Sequence, residues 1–126
     1  MIFKFYDTCS LLLKADNLWD EDSTLVISSI VLEELEHIKT STTKDPDVKF
    51  AARKIIHELE NHPNEYTFFM WKSSYNNLSN ADMGLNNDAK IIVSAEIFAK
   101  AHPADQTVLV TNDLCCKHMA HMYSNI

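Results

Sequence analysis

Short apolar runs alternate along this chain with longer stretches in which apolar residues recur every three or four positions. The runs predict strands at residues 2–6, 24–28, 66–71 and 107–111. The longer stretches predict helices at residues 8–17, 29–38, 46–61, 87–101 and 113–122. Strands that alternate with helices predict an α/β fold of three layers, αβα, with a central parallel sheet of about four to five strands.

The segments between these elements carry their own signals. Ser28 or Ser29 would begin the second helix, and Pro46 suits the first turn of the third. Residues 40–45 read as a polar connector, residues 61–64 as a turn and residues 72–86 as a long polar loop. The 126 residues are therefore expected to form a single domain.

Composition narrows the class of protein. Hydrophobic residues make up 46% and charged residues 23% of the chain, which is typical of a soluble globular protein. Since no apolar run approaches about 18 residues, no membrane association is expected. The three cysteines are an odd number, which argues against a disulfide framework and favours a cytoplasmic location. The single glycine excludes a dinucleotide fingerprint and a P-loop.

Four acidic residues lie where a predicted strand ends or a predicted helix begins: Asp7, Glu34, Asp88 and Asp113. The carboxyl ends of the strands line the binding crevice of an open parallel sheet. Carboxylates gathered there repel one another unless they share a cation, and oxygen ligands suit Mg²⁺ or Mn²⁺. Two such ions can activate a water and stabilise a leaving oxygen without a covalent nucleophile. The pattern predicts metal-dependent phosphoryl chemistry.

Helical geometry separates Glu34 from its neighbour Glu33. With Val31 set at zero and an advance of about 100° per residue, Leu35 and Ile38 fall within roughly 40° of it. Glu34 lies about 60° to one side of this apolar stripe, while Glu33 points almost directly away. We therefore expect Glu33 to be a solvated surface charge and Glu34 to be held against the body of the protein.

Helix capping is the alternative explanation for three of the acids. Asp88 lies on the apolar stripe of its helix, where an unpaired carboxylate is costly, but Asp also favours the N-cap and the first turn. Asp7 and Asp113 follow predicted strands, and aspartate is a common turn or cap residue at such positions. The apolar residues that share this stripe with Asp88 are Ile92, Ala95 and Ala99. Each acid alone is explained as structural, whereas four such residues at one end of the sheet favour a shared site.

The basic residues are clustered, although the net charge of −7 argues against a general nucleic-acid binder. Five of the eleven lie within sixteen positions: Lys39, Lys44, Lys49, Arg53 and Lys54. The 46–61 helix is expected to bury Val48, Ala52, Ile55 and Leu59. Lys49, Arg53 and His57 follow one flank of it, which is either a solvated face or a stripe that tracks phosphates.

Cysteine and histidine residues near the end of the chain raise the question of a zinc site. Cys115, His118 and His121 have metal-like spacing, but no fourth ligand is evident, so zinc is not expected. A phosphotransfer receiver or phosphatase-like domain built around Asp7 is a further alternative. It would need a second aspartate beside Asp7 or a lysine that ends the last strand, and neither is visible.

Several short motifs, in order, resemble those of a family. They are residues 6–8 with 11–12, then 31–39, 52–56, 87–92 and 109–113. In their order and spacing the chain resembles a PIN-domain nuclease, most closely the subtype that precedes PhoH-like ATPase domains. The resemblance implies Mg²⁺- or Mn²⁺-dependent cleavage of single-stranded RNA.

The same resemblance implies roles for particular residues. The acidic set that binds metal and catalyses cleavage would be Asp7, Glu34, Asp88 and Asp113. The neighbouring helper residues would be Thr8, Thr111 and Asn112. The RNA contacts come instead from the basic cluster: if it tracks phosphates, RNA would contact Lys39, Lys49 and Arg53.

Two departures from the family pattern add further expectations. The family usually continues into a fifth strand, so we expect residues 1–126 to be a PIN-like domain that lacks this strand and a downstream PhoH-like ATPase domain. The 107–111 strand would then have an exposed edge. Some PIN domains keep the fold without cleaving, so the alternative function is a non-catalytic RNA- or protein-binding module. A homo-oligomer is compatible with either function.

Overall fold

Four parallel strands form the centre of the fold in a computed structural model that describes residues 1–78, 86–121, 123, 125 and 126. The strands are β1 (Ile2–Tyr6), β2 (Thr24–Ser28), β3 (Tyr66–Phe69) and β4 (Gln106–Val110). The helices are α1 (Thr8–Leu12), α2 (Ser29–Thr40), α3 (Pro46–Asn61), α4 (Asn87–Ala101) and α5 (Leu114–Ala120), with a 3-10 helix at Ser73–Leu78. The predicted parallel sheet flanked by helices is confirmed.

The strand order β3-β2-β1-β4 puts the first and last strands side by side. Phe5 of β1 is paired with Val26 of β2 and with Leu109 of β4, all in parallel. The carboxyl ends of these three strands therefore lie at one edge of the sheet. Within the described residues β4 pairs only with β1.

Alternation along the strands separates two halves of the core. Tyr6 of β1 and Ile27 of β2 face α1, α2 and α3, where they pack with residues such as Leu35 and Ile55. Phe5 and its neighbours face the other way, against α4, in the cluster Phe3, Phe5, Val26, Ala95 and Phe98. Each face of the sheet is thus covered by helices, which is the arrangement expected of a buried parallel sheet.

The first helix is shorter than the predicted 8–17, because α1 ends at Leu12 and turns follow. The N–H of Lys14 donates to the carbonyl of Leu11 (2.9 Å), which is a tighter turn than an α-helix makes. Lys14 Nζ then reaches Asp20 Oδ1 at 2.9 Å, and Asp20 also accepts from Lys4 and Tyr6. This polar cluster holds the 13–23 segment against β1 in place of a further helical turn.

Other boundaries differ by a few residues. The predicted 66–71 strand ends at Phe69, and the N–H of Trp71 donates instead to Ser29 Oγ (2.8 Å). The predicted 72–86 loop contains the 3-10 helix at Ser73–Leu78, and its residues 79–85 lie outside the described residues. The predicted 113–122 helix begins after Asp113 and ends at Ala120; residue 122 is also outside.

The helix faces also depart from the predicted stripes. Val48 is half-buried, and Ile56 completes the buried face of α3. Helix α4 is buried on most of its circumference, since α5 and the sheet pack on different sides of it. None of the helices in the described part of the chain is long and apolar enough to cross a membrane.

Candidate active site

Asp7 is the most firmly held of the four predicted acids. It follows β1, is 5% exposed and caps α1, with its Oδ1 accepting from the N–H of Ser10 at 2.8 Å. Its Oδ2 accepts from the Thr111 hydroxyl, and that hydroxyl oxygen accepts from the N–H of Asp113 at 3.0 Å. Ser10 Oγ accepts from the N–H of Asn112 at 3.2 Å. Groups that follow β1 and β4 therefore fix the orientation of this carboxylate.

Glu34 lies in the second turn of α2 and is half-buried. Burial raises the pKa of its carboxyl, and the negative charges of Asp88 and Asp7 raise it further. The hydroxyl of Thr8 and the side chain of Asn87 oppose this shift by favouring the ionised form. Glu34 therefore lies within electrostatic reach of two carboxylates from other elements.

The prediction that separated Glu34 from its neighbour is confirmed. Glu33 is exposed, whereas Glu34 is held against the protein. The two glutamates are therefore neighbours on the same helix, one in solvent and the other half-buried.

Asp88 is not the N-cap of its helix, although it lies in the first turn, where the helix dipole favours an acidic residue. The N-cap of α4 is Asn86, whose Oδ1 accepts from the N–H of Ala89 at 2.8 Å. Asp88 lies in the first turn, partly buried, and burial raises the pKa of its carboxyl. The charges of Asp113 and Asp7 raise that pKa further. Asp88 is therefore a carboxylate within electrostatic reach of two others.

Asp113 is an exposed N-cap, as the structural explanation predicted. Its Oδ1 accepts from the N–H of Cys116 at 3.0 Å, at the start of α5. Its charge nevertheless acts on Asp88. Capping and membership of the acidic group are therefore compatible for Asp113, as they are for Asp7.

The negative charges of the acidic residues also raise the pKa values of two cysteine thiols. Burial raises the pKa of the Cys116 thiol to about 11, and Asp88, Asp7 and Asp113 act in the same direction. Burial also raises the pKa of Cys9, again with help from neighbouring carboxylates. Both thiols are thus held in the protonated form, which is the poor nucleophile. The carboxylates that act on Cys9 are Asp7, Glu34 and Asp88.

The four acids do not form a closed metal cage. Among the residues that the structure describes, no group of three or more His, Cys, Asp or Glu side chains is arranged to hold a metal ion, and this includes Cys115, His118 and His121. The donor set still fits a hard cation, because Mg²⁺ usually binds through one or two carboxylates and keeps several waters. The buried Thr8 hydroxyl adds another oxygen: it has no partner at hydrogen-bond geometry within the described residues, but it is close enough to Glu34 to lower the pKa of that carboxyl.

The predicted RNA-binding residues lie on α2 and α3. Lys39 Nζ is paired with Glu36 at 3.0 Å. Lys49 is partly buried and Arg53 is exposed on α3. One further cation, Lys44, lies in the α2–α3 connector, and its charge lowers the pKa of Cys9 against the surrounding carboxylates.

Sequence reasoning also missed the residues that position the acids. Ser10 binds Asp7 through its N–H and Asn112 through its hydroxyl. Asn86 was overlooked as the cap of α4, although Asn is as good an N-cap as Asp and was visible two positions earlier. No pattern in the sequence pairs Ser10 with Asn112, because the contact depends on the adjacency of β1 and β4.

These features define a parallel α/β protein with acidic side chains gathered at the carboxyl edge of its sheet. A family model of the PIN domain matches residues 5–124, a range that includes all four acids. The chain therefore belongs to the PIN domain family, whose fold is that of a nuclease. No curated protein gave a match. The resemblance to a PIN domain is confirmed, while the PhoH-associated subtype stays a prediction.

Proposed function

We propose that this protein is an endoribonuclease that cleaves single-stranded RNA with Mg²⁺ or Mn²⁺ at the acidic site. The observation that carries the proposal is that carboxylates from distant parts of the chain lie together at the carboxyl edge of the sheet. The charge of Asp7 there raises the pKa of both Glu34 and Asp88, and the charge of Asp113 raises the pKa of Asp88. Such mutual repulsion costs folding free energy unless a cation or a proton relieves it. Membership of a nuclease family supports the same conclusion.

Each residue has a distinct part in this proposal. Asp7, Glu34, Asp88 and Asp113 would hold the cation, which when bound lowers the pKa of an attacking water and stabilises charge on the phosphate. Asp7 is held by Ser10 and Thr111, so its carboxylate is oriented before substrate arrives. The helper residues Thr8 and Asn112 support Glu34 and Ser10 respectively. A covalent route through Cys9 or Cys116 is disfavoured by their raised pKa values.

The test compares Glu34→Gln with Glu33→Gln, which remove the same charge from the same helix. Cleavage of an end-labelled single-stranded RNA would be followed in Mn²⁺, with EDTA as the metal-free control. We expect Glu34→Gln to lower the rate by about 10² or more, as loss of a proton-transfer or charge-stabilising group does. Glu33→Gln should cleave like the wild type. Equal rates in the two variants, or cleavage that persists in EDTA, would contradict the proposal.

The alternative is a non-catalytic PIN-fold module that binds RNA or protein. One observation favours it: the acids do not converge into a cage in the described residues. The two functions differ in turnover. A wild-type protein that binds the labelled RNA but leaves it intact in both Mn²⁺ and Mg²⁺ would establish the binding module.

We further propose that the domain acts beside a PhoH-like ATPase domain in the cytoplasm, and that the ATPase feeds RNA to the nuclease. The support is the motif at residues 31–39, followed by that at 52–56, in the order of the resembled subtype. ATP should then accelerate the cleavage of a partly duplex RNA by the natural full-length protein. A rate that is the same with and without ATP would contradict this partnership.

A further inference from the structure

A groove lies where α2 ends and the connector to α3 begins. Its volume is about 440 Å³. We call it the connector groove, and it is lined by His37, Ile38, Thr40, Ser41, Thr42 and Lys44. Hydroxyl, imidazole and ammonium groups thus dominate its side chains, and these are the groups with which proteins hold phosphate and ribose oxygens.

The turn that carries Lys44 is internally ordered. Ser41 caps the C-terminus of α2, and its N–H donates to the carbonyl of Ile38 at 3.2 Å. Its hydroxyl oxygen accepts from the N–H of Thr43 at 3.2 Å and from the N–H of Lys44 at 3.3 Å. The backbone of Lys44 is therefore placed by the end of α2.

The connector groove adjoins the acidic site through α2. His37, which lines the groove, follows Glu34 by three positions, so the two side chains lie on neighbouring parts of one helix face. Lys44 provides the second link, because it lines the same groove as His37. A strand bound in the groove would thus pass directly from the acids to a cation.

Two nearby lysines are already engaged with carboxylates. Lys39 is paired with Glu36, and Lys54 is paired with Asp16. Lys44 is absent from the ion pairs of the residues that the structure describes. Since the acidic site repels phosphate, an adjacent cation is needed to hold a polyanion beside it.

We propose that the connector groove binds the sugar-phosphate backbone of the RNA strand as it leaves the acidic site, with Lys44 contacting one phosphate. This inference rests on the proposed function and assigns the path of its substrate. Lys44 is a positioning residue in this arrangement. Its loss should weaken the hold on RNA and leave the chemical step intact.

The experiment compares Lys44→Ala with Lys54→Ala, which removes the same charge from a lysine paired elsewhere. Binding of a fluorescent single-stranded oligoribonucleotide would be measured by anisotropy in EDTA over a range of KCl concentrations, and cleavage in Mn²⁺. Lys44→Ala should bind several-fold more weakly, and its plot of log K against log salt should be shallower by about 0.7, the value for one phosphate contact on a single strand. In Lys44→Ala, KM should rise while kcat is unchanged. Lys44→Arg keeps the charge and should bind RNA like the wild type, as should Lys54→Ala.

The outcomes separate the two proposals. Wild-type affinity and salt slope in Lys44→Ala, with normal cleavage by the wild type, would overturn the groove and leave the nuclease proposal standing. A fall in kcat with unchanged KM and salt slope would also overturn it, because Lys44 would then act in the reaction. A wild-type protein that neither binds nor cleaves the RNA would overturn both.

Discussion

The Thr111 hydroxyl is the best single point at which to test how the site is supported. It donates to Asp7 Oδ2 and accepts from the N–H of Asp113, while Thr111 itself is 5% exposed. Thr111→Val keeps the shape of the side chain and removes both hydrogen bonds. A buried carboxylate oxygen and a backbone N–H would each lose a partner.

The size of the effect follows from these two bonds. A hydrogen bond to a charged group contributes about 1.5–3 kcal/mol and one between neutral groups about 1 kcal/mol, so the loss should be about 2.5–4 kcal/mol. In a chain of 126 residues, 1 kcal/mol corresponds to about 4 °C in Tm. We therefore expect Thr111→Val to lower Tm by about 10–16 °C in EDTA.

Thr107→Val is the matched control. Thr107 is 4% exposed, and its hydroxyl makes no hydrogen bond within the described residues. Removing a buried hydroxyl without a partner is neutral or stabilising, so this variant should melt at or above the wild-type temperature. Calorimetry of both variants measures the difference. Equal shifts in Tm would refute the reasoning, because they would show that the hydroxyl contacts of Thr111 contribute nothing beyond its shape.

Three further predictions concern the cation, the protons and the RNA. Mn²⁺ at about 100 times its Kd should raise the free energy of unfolding by about 2.7 kcal/mol, and by much less in Asp7→Asn; equal thermal shifts would place the cation elsewhere. Because burial, and then neighbouring carboxylates, raise the pKa of Glu34 and of Asp88, the folded protein holds these protons more tightly than the unfolded chain. Metal-free stability in urea titrations should therefore fall as the pH rises from about 4 through the raised pKa values. The fall should be smaller in Asp88→Asn, and a slope as steep as that of the wild type would contradict this. Reversing Lys49 and Arg53 to Glu should weaken RNA binding and flatten its salt dependence without altering the cleavage site, and unchanged binding would make them plain surface.

Most of the fold was predictable because its elements are separated by strong signals. The apolar runs at residues 2–6 and 24–28 coincide with β1 and β2, and the helix at residues 46–61 begins at Pro46 as predicted. These segments have regular periodicity and clear caps, so local preference and tertiary packing agree. Parallel pairing followed from the alternation of strands with helices.

The errors lie where tertiary contacts compete with local preference. The sequence at residues 13–17 permits helix, but Lys14 reaches Asp20, and the chain turns instead. At Met70 the chain leaves the sheet because Trp71 is bound by Ser29. Neither competitor is adjacent in sequence, so periodicity alone does not reveal it.

The candidate site was predictable in its residue types but not in its support. The apolar stripe of α2 distinguished Glu34 from Glu33, because burial of one face is a periodic property. The sequence is equally compatible with Asp88 as the N-cap of α4 and as a metal ligand. In the structure Asn86 is the N-cap, because its Oδ1 accepts from the N–H of Ala89. The choice between two cap residues two positions apart depends on where the preceding chain enters the helix, and this is set by tertiary structure.

The bond between Thr111 and Asp7 joins residues 104 positions apart, and this separation has a consequence during synthesis. A ribosome that adds about 5–20 residues per second makes Asp7 roughly 5–20 s before Thr111. Until Thr111 is made, β1 has no complete β4 beside it; Asp88 is added late in this interval and Asp113 just after it. Any activity of the acidic site therefore begins only when nearly the whole domain has been translated.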